Sequence, residues 1–583
     1  MKIFKKLVLG LLSLVVLLQA CKKDSSTTKS STDTTATGPV AIIPPTEPSI
    51  TNTQGFFLDN WQAKTWVAPA TTAVTKPGAA GAVAVTVDLS KEITKVSNYI
   101  YGNNTNPFMG PISTDATLMA NITNLSPNIL RFPGGSLSDV YFWNQSTTAP
   151  ADAPAQLEDY TGASSAAGYW FGNSTANTTM TVDDYYSVLQ QSKSTGIITV
   201  NYGYARYGTS ANPVATAAHL AADWVRYDKG RTKYWEIGNE VYGNWEAGYR
   251  INTSANQDGQ AQIQDGTTYG NHFKIFADSM RAAATSVGNT AIEIGVVLDA
   301  ANDQNVSGQV SNWNANVLAA TGNSPDFFVV HNYYTPYEQN SAPAVILGTP
   351  VSGTQSMMDW VKSSASGAGV TQKPVAMDEW NIFSTGSSQM VSNIAGIHAV
   401  MVLGEVLKNQ ISMSCRWDLA NGWSNGDDMG MFSNSAPYQD AEPNAPAWNP
   451  RPAFYYMHYF QQFIGDHLVS STSGNPAIIA YGSSYSSGQA GVILVNTTAS
   501  QYTANVSFKN FAAGSKYYFY TLNGGTDNAP FSHKVYVNNS GPASDSGGPS
   551  NYSSIPASTA NISGGIIVNV PAYGTVFLVA DGK

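Results

Sequence analysis

The stretch Trp235-Glu-Ile-Gly-Asn-Glu240 decides the fold. It begins as a short apolar strand and ends in a glycine, an amide and a carboxylate. A second stretch, Met377-Asp-Glu-Trp-Asn381, has the same form, with Glu379 at the end of another apolar run. A barrel of parallel strands collects the residues at its strand ends on one face. We therefore expect Glu240 and Glu379 to face each other across such a barrel.

Around these two stretches, apolar runs alternate with helical patterns, which is typical of a parallel α/β unit. Capping residues and apolar spacing predict helices that begin near Thr181 and Pro213, and others over 272–284 and 394–407. Eight apolar runs are the count of a closed barrel. The eight strands are predicted at Asn98–Gly102, Asn128–Phe132, Ile197–Tyr202, Lys233–Gly238, Ile292–Leu298, Asp326–His331, Pro374–Asp378 and Ile411–Trp417.

The pattern changes near Gly465, where short strands between Gly, Asn and Ser turns predict a β-sandwich. The predicted fold class is α/β, a (β/α)8 TIM barrel with a C-terminal antiparallel β-sandwich domain. We place the barrel at 98–465 and the sandwich at 466–583. Residues 51–97 are expected to form an arm and a strand that pack on the sandwich. A long insertion at 144–180 follows the second strand, at the face where loops shape a cleft.

The chain begins with the charged residues and the short apolar run of a signal peptide, over residues 1–20. Leu18-Gln-Ala-Cys21 resembles a lipobox, which predicts cleavage before Cys21 and lipidation of its thiol. A plain signal peptide with an incidental cysteine is the alternative. Residues 21–50 would then be a flexible tether. We expect a secreted lipoprotein on the outer membrane or cell surface of a Gram-negative bacterium, in contact with the membrane only through its lipid anchor.

Composition excludes several classes of partner. Of the 583 residues only 12% are charged, and the formal net charge is −10, so the basic stripe of a nucleic-acid-binding protein is missing. The seven histidines show no metal-binding spacing, and no cofactor or metal is expected. Asp427-Asp428 could bind a cation, although a solvated turn is the preferred interpretation. Cys415 lies in an apolar run and is expected to be a small buried side chain.

Two carboxylates at strand ends suit the hydrolysis of a glycosidic bond, which needs a proton donor and a nucleophile or activated water. We assign Glu240 as the acid/base and Glu379 as the nucleophile, and we expect the pKa of Glu240 to be raised. Asn239 is placed to bond the sugar hydroxyl next to the anomeric carbon. Glu236 is the rival carboxylate, because strand alternation puts it on the same side as Glu240, but it lies deeper in the strand.

Four motifs together resemble the α-L-arabinofuranosidases of glycoside hydrolase family 51, which belong to clan A. They are Ile129-Leu-Arg-Phe-Pro-Gly-Gly135, Trp235–Glu240, His331-Asn-Tyr-Tyr334 and Asp378-Glu-Trp380. The likeness covers roughly residues 83–465. The loop Ser136–Trp143 and the insertion depart from the family pattern, which leaves the substrate and the exo or endo mode of action open.

The resemblance implies roles for further residues. Arg131 would bond Glu379 and keep it ionised. His331 and Tyr333 would lie beside the nucleophile, although the sequence does not separate Tyr333 from its neighbour Tyr334. A platform under the sugar would come from Trp417, and contacts with sugar hydroxyls from Asn103 or Asn104 and from Asn201.

The sequence therefore predicts a retaining glycoside hydrolase of polysaccharides or oligosaccharides, with α-L-arabinofuranosidase as the preferred activity. An endo-β-glucanase or xylanase of the same clan is the alternative, favoured if the loops form an open cleft. A noncatalytic glycan-binding lipoprotein and a structural adhesion protein are the rivals from other classes, but neither accounts for the two glutamates. Several aromatic residues are either sugar platforms or ordinary core: Tyr169, Trp170, Trp245 and Trp423.

Overall fold

The computed structural model describes residues 42–301, 307–434 and 441–583. The predicted signal peptide, Cys21 and most of the predicted tether lie outside these residues. Within the described part, no helix has both the length and the apolar character that a membrane span requires.

Eight parallel strands close into a barrel, in which each strand pairs with the next along the chain and the eighth pairs with the first. The predicted (β/α)8 barrel is thus confirmed. The first strand is shifted: Asn98–Tyr101 is a 3-10 helix capped by the Ser97 side chain, and the strand begins only at Gly102. The barrel strands are Gly102–Asn104, Ile129–Phe132, Thr195–Val200, Tyr234–Ile237, Glu293–Val297, Phe327–Tyr333, Val375–Asn381 and Met413–Arg416.

Nine α-helices occur in the described residues, and most of them connect successive barrel strands. Helix α2 begins at a capping box, in which Thr181 and Asp184 exchange side-chain and backbone hydrogen bonds. Helix α7 carries an internal proline, Pro350, and two internal glycines, which hide its helical period in the sequence. The helices are α1 Ala116–Leu125, α2 Val182–Ser192, α3 Gly203–Tyr207, α4 Pro213–Asp228, α5 Gly266–Ser286, α6 Trp313–Thr321, α7 Pro343–Gly367, α8 Asn393–Lys408 and α9 Pro452–Phe463.

The predicted insertion at 144–180 contains a hairpin of Gln156–Glu158 and Ser164–Ala166. Its strand Trp170–Phe171 pairs with Tyr141–Phe142. An ion pair of 3.2 Å between Arg250 Nε and Glu158 Oε2 ties the hairpin to the segment that follows the fourth barrel strand. The insertion is therefore anchored to the segment that carries Glu240.

The C-terminal strands form one eleven-stranded sheet that encloses a second apolar core. Two N-terminal strands, Thr71–Ala73 and Val83–Lys95, take part in it. Val83–Lys95 runs antiparallel to the first C-terminal strand but parallel to Tyr502–Lys509, so the sheet is mixed rather than antiparallel throughout. The whole barrel separates Val83–Lys95 along the chain from the C-terminal strands, so its direction is not set by hairpin connections to them. The C-terminal strands are His467–Ser473, Ile478–Ser484, Ala490–Asn496, Tyr502–Lys509, Ala513–Gly524, Val535–Val537, Ala557–Asn561, Ile566–Val570 and Gly574–Gly582.

A short 3-10 helix, Gly55–Leu58, packs into the barrel at the start of its strands. The ring of Phe57 lies 5.3 Å from that of Tyr234 and 5.5 Å from that of Phe327, between ring centroids. The arm thus contacts the barrel here, whereas the strand Val83–Lys95 lies in the large sheet. We call residues 55–58 the barrel plug, because they cover the face opposite to Glu240 and Glu379.

Candidate active site

The structure brings the two predicted glutamates together. Glu379 lies within the seventh strand, and Glu240 follows the fourth strand with a left-handed backbone, at a φ of +42°. A carboxylate oxygen of each lies within 4.8 Å of the other and of a nitrogen of His331. Glu379 is 5% exposed, and the Glu240 side chain 16%. The pair therefore forms the floor of a site with limited access to solvent.

His331 bridges the two glutamates. Its Nδ1 lies 2.9 Å from Glu240 Oε1 and 3.9 Å from Glu379 Oε2, while Nε2 lies 3.4 Å from Asp378 Oδ1. Burial lowers the pKa of His331, but Glu379, Asp378 and Glu240 together raise it well above its usual value. The surrounding carboxylates therefore favour the protonated form of the imidazole.

Arg131 is a fully buried hub under the site. Its Nη1 donates to Glu379 Oε2 at 2.8 Å and to Asn104 Oδ1 at 3.1 Å. Its Nε and Nη2 donate to Glu236 at 2.9 and 3.2 Å, and Nη2 also donates to Asn239 Oδ1 at 2.8 Å. Glu236 is thus the structural partner of the guanidinium, deep in the fourth strand, and not the carboxylate that faces the cleft.

Tyr333 donates its hydroxyl to Glu379 Oε1 at 2.8 Å, so both oxygens of Glu379 have donors, from Tyr333 and from Arg131. The neighbouring Tyr334 is bound elsewhere, to Thr354 Oγ1 at 2.8 Å. The structure thereby separates two tyrosines that the sequence does not.

The pKa directions in the free site differ from expectation. Burial raises the pKa of Glu240, but hydrogen bonds from His331 and Trp245 and the positive charges of His331 and Arg131 together outweigh burial, and the pKa is lowered rather than raised. For Glu379, burial and the charge of Glu240 together raise the pKa by more than His331, Arg131 and Tyr333 lower it. Arg131 therefore favours the ionised form of Glu379 without setting the final direction. The pKa of Glu240 is thus lowered and that of its partner His331 is raised, which is the reverse of the direction expected for Glu240.

Two predicted sugar-binding amides have no free polar group. Asn104 is fully buried, and besides accepting from Arg131 it donates to the carbonyl of Asp378 at 3.0 Å. Asn201 donates to the Tyr141 carbonyl at 3.2 Å and accepts from the Tyr204 backbone at 2.9 Å, which fixes the start of α3. In this structure both amides complete protein hydrogen bonds that burial requires, and their contacts with a sugar stay predictions.

Trp417 lies against the glycine pair after the second strand. A Cβ on Gly135, whose φ is +66°, would come within 2.5 Å of the Trp417 ring. Only glycine allows this backbone shape and this contact together. The half-buried indole thus lies beside the loop that leaves Arg131.

Three polar residues that the sequence argument did not single out complete the site. Asp139 is fully buried and accepts backbone N–H bonds from Tyr202, Gly203 and Asn239, and burial raises its pKa to about 7. Glu246 and Ser136 bond each other beside Asn239. Ser136 and Asp139 lie in a short 3-10 helix, Ser136–Val140, and Glu246 lies in a loop, so none of them belongs to a segment long enough to show a periodic pattern. The available signal was their position shortly after a strand-end motif.

Aromatic residues line the approach to the glutamates. Trp245 is 48% exposed and donates its indole N–H to Glu240 Oε2 at 3.0 Å. On the other side, the rings of Tyr333 and Phe383 stack at 4.1 Å, and Tyr337 follows at 4.9 Å with 66% exposure. Three other candidates are partly buried and packed within the protein rather than open platforms: Tyr169, Trp170 and Trp423.

Three groups of side chains in the described residues could hold a cation. Two lie at the site and share His331: one adds Glu240 and Glu379, the other Glu236 and Asp378. A metal ion at either group would have to displace the proton from His331, which the raised pKa of that imidazole opposes. A third group lies apart from the site: Glu47, Glu92 and His467.

Two minor predictions are also settled by burial. Asp428 is fully buried and pairs with Arg451 at 2.7 Å, so it is not part of a solvated turn. Cys415 is fully buried, and burial raises the pKa of its thiol.

Comparison with known proteins places these features in context. The family model of the alpha-L-arabinofuranosidase 1 domain matches residues 121–342. No curated protein matches the chain. A solved α-L-arabinofuranosidase from Thermotoga maritima, in complex with arabinose, is 16% identical with a TM-score of 0.57, over 85% of this chain and 99% of that one.

Other solved structures share the architecture. A family 51 α-L-arabinofuranosidase from Bifidobacterium longum is 14% identical, with a TM-score of 0.58, over 88% of this chain and 100% of that one. A bifunctional glucanase-xylanase from a metagenome library is 13% identical, with a TM-score of 0.53, over 86% and 99%. The resemblance predicted from the motifs is confirmed, and the fold is one that glycoside hydrolases use.

Proposed function

We propose that the protein is a retaining glycoside hydrolase, and that α-L-arabinofuranosides are its preferred substrates. The observation that carries the proposal is the pair Glu240 and Glu379, whose carboxylate oxygens approach within 4.8 Å. Retaining enzymes hold their two carboxyl groups roughly 5–5.5 Å apart, whereas inverting enzymes leave roughly 6.5–9.5 Å for a water molecule. The spacing supports double displacement.

In the first step, Glu379 attacks the anomeric carbon while the leaving oxygen takes a proton from Glu240. Arg131 and Tyr333 hold the two oxygens of Glu379, which orients the nucleophile. The proton is supplied by the Glu240–His331 pair, whose atoms lie 2.9 Å apart. The result is a covalent glycosyl-enzyme and a free alcohol.

In the second step, Glu240 takes a proton from a water molecule, and the oxygen of that water attacks the anomeric carbon. The bond to Glu379 breaks, and the proton returns to the Glu240–His331 pair. The sum is the addition of one water molecule across the glycosidic bond. Two inversions at one carbon leave the anomeric configuration unchanged.

Support for arabinofuranosides comes from the matching family model and from the solved arabinofuranosidases. An endo-acting glucanase or xylanase is the second candidate. It is favoured by the glucanase-xylanase of similar fold and by the insertion that the Arg250–Glu158 pair anchors near Glu240. A noncatalytic glycan-binding protein would bind polysaccharide without turnover.

The test is hydrolysis of 4-nitrophenyl arabinofuranoside, xyloside, glucoside and galactoside beside intact arabinan, xylan and β-glucan. Variants Glu240→Ala and Glu379→Ala should each lose several orders of magnitude in turnover, and azide should partly rescue them with opposite product anomers. The matched control is Glu293→Gln, at the far end of the fifth strand. Inversion of configuration or near-normal activity of either alanine variant would overturn the assignment, and binding without turnover on the whole panel would favour the noncatalytic rival.

A further inference from the structure

A buried carboxyl group behind Asn239 has no part in the steps above. Glu246 is 4% exposed, and its Oε1 accepts hydrogen bonds from Ser136 Oγ at 2.8 Å and from Asn239 Nδ2 at 3.0 Å. Its Oε2 is buried and has no hydrogen-bond partner among the described residues. Burial, with the nearby charges of Asp139 and Glu240, raises the pKa of Glu246 well above its usual value.

The orientation of Asn239 follows from its neighbours. A guanidinium only donates, so the side-chain atom that faces Arg131 at 2.8 Å must be the amide oxygen. The amide nitrogen therefore faces Glu246, which uses one of its two hydrogens. The second hydrogen is left for a group outside this network.

Ser136 is oriented by the same oxygen. Its hydroxyl donates to Glu246 Oε1, so the lone pairs of Oγ remain available as acceptors. Ser136 is exposed and directly follows Gly135, on which the Trp417 ring rests. Asn239 Nδ2, which has a hydrogen to donate, and Ser136 Oγ, which can accept one, both bond Oε1 of Glu246. They are therefore close enough together for a single hydroxyl group to bond both.

We propose that Ser136 and Glu246, with Asn239, recognise the sugar hydroxyl next to the anomeric carbon. That hydroxyl donates its hydrogen to Ser136 Oγ and accepts one from Asn239 Nδ2. Ser136 is a specificity-determining residue, and Glu246 is a positioning residue that acts through the other two. The inference rests on the proposed function, because it names the part of the sugar that this site selects.

The test compares the 4-nitrophenyl glycoside that the wild-type enzyme hydrolyses fastest with its 2-deoxy analogue. Ser136→Ala and Glu246→Leu should lower kcat/KM for the parent glycoside by about tenfold, the effect of one lost hydrogen bond. For the 2-deoxy analogue, the same variants should stay within about twofold of wild type, since the partner group is absent. Glu246→Gln keeps an acceptor oxygen in place and should restore the ratio that Glu246→Leu loses.

Two controls keep the result interpretable. Ser165→Ala removes an exposed serine hydroxyl from the hairpin of the insertion and should change neither rate. Because Ser136 is exposed, we expect the Ser136→Ala variant to fold, and it tests the proposal even if Glu246→Leu does not fold. Equal losses on both substrates in Ser136→Ala would overturn the inference alone. If the wild-type protein hydrolyses no glycoside, the proposed function fails and the inference fails with it.

Discussion

Tyr333 and Tyr334 show how much one residue position matters at a strand end. Successive side chains of an extended strand point to opposite faces. Tyr333 reaches Glu379, whereas Tyr334 points outward, packs at 5.1 Å against the ring of His398 and bonds Thr354. Tyr333 thus contacts the proposed nucleophile, whereas Tyr334 packs against the surrounding helices.

We predict that Tyr333→Phe lowers kcat/KM by about ten- to hundredfold, the range for a hydrogen bond to a charged group. The Tyr333 hydroxyl lowers the pKa of Glu379, because it donates to the ionised form. Its removal raises that pKa further, so the acidic limb of the pH–rate profile should move to higher pH. The control is Tyr334→Phe, which should keep the limb in place. An unshifted limb in Tyr333→Phe would show that Glu379 does not govern it.

Residues at strand ends were the predictable part of the site. Glu240 and Glu379 follow from apolar runs that stop at a polar residue, and the family resemblance adds Arg131 and His331; the structure places all four together. The resemblance also implies that Asn104 and Asn201 contact the sugar, but the sequence does not show which protein group each amide bonds. Ser136, Asp139 and Glu246 are not predicted for another reason: the short 3-10 helix Ser136–Val140 and the loop at Glu246 are too short to show a period that predicts a contact.

At the scale of elements, the barrel plug is the least expected piece. The sequence predicts that the arm with Phe56 and Phe57 packs on the sandwich. In the structure Phe57 is 1% exposed and enters the barrel core, while Phe56 is only partly buried. The core at that end of the barrel is thus completed by a residue from outside its eight strands.

We predict that Phe57→Ala costs about 3–5 kcal/mol of stability, as expected for a buried phenylalanine, and lowers Tm in calorimetry. The plug lies at the end of the barrel opposite to Glu240 and Glu379, so kcat/KM at 25 °C should stay within about twofold of wild type. The matched variant Phe56→Ala should cost clearly less. Equal losses for the two variants would mean that the core does not depend on Phe57.

Buried histidines affect the whole molecule through pH. The pKa of His398 is lowered to about 3 and that of His458 to about 4, in both cases mainly by burial. The unfolded chain binds protons below the ordinary pKa of about 6.5, where the folded chain does not. This contribution to stability is therefore present above pH 6.5 and is lost as the pH falls toward the lowered values. Asp139 and Glu236 act in the opposite direction, since their pKa values are raised to about 7.

A comparison of the wild-type protein with a His398→Phe variant isolates the contribution of His398 to the pH dependence of stability. His398→Phe keeps an aromatic ring beside Tyr334 but removes the titrating group. We predict that the difference in Tm, variant minus wild type, increases by about 2–4 °C when the pH is lowered from 7 to 4.5. The measurement is a series of calorimetric scans across that range. Parallel Tm curves would show that His398 does not titrate differently in the folded state.

The strand Val83–Lys95 links the C-terminal sheet to the N-terminal part of the chain. It lies between His467–Ser473 and Tyr502–Lys509 in the sheet. A strand that is synthesised before the barrel thus pairs with strands that are synthesised after it. Val83–Lys95 therefore cannot pair on both of its edges until residues 467–509 have been synthesised. Once the sheet has formed, a protease cut between α9 and the first C-terminal strand would not free the C-terminal part, because Val83–Lys95 still ties it to the rest of the chain.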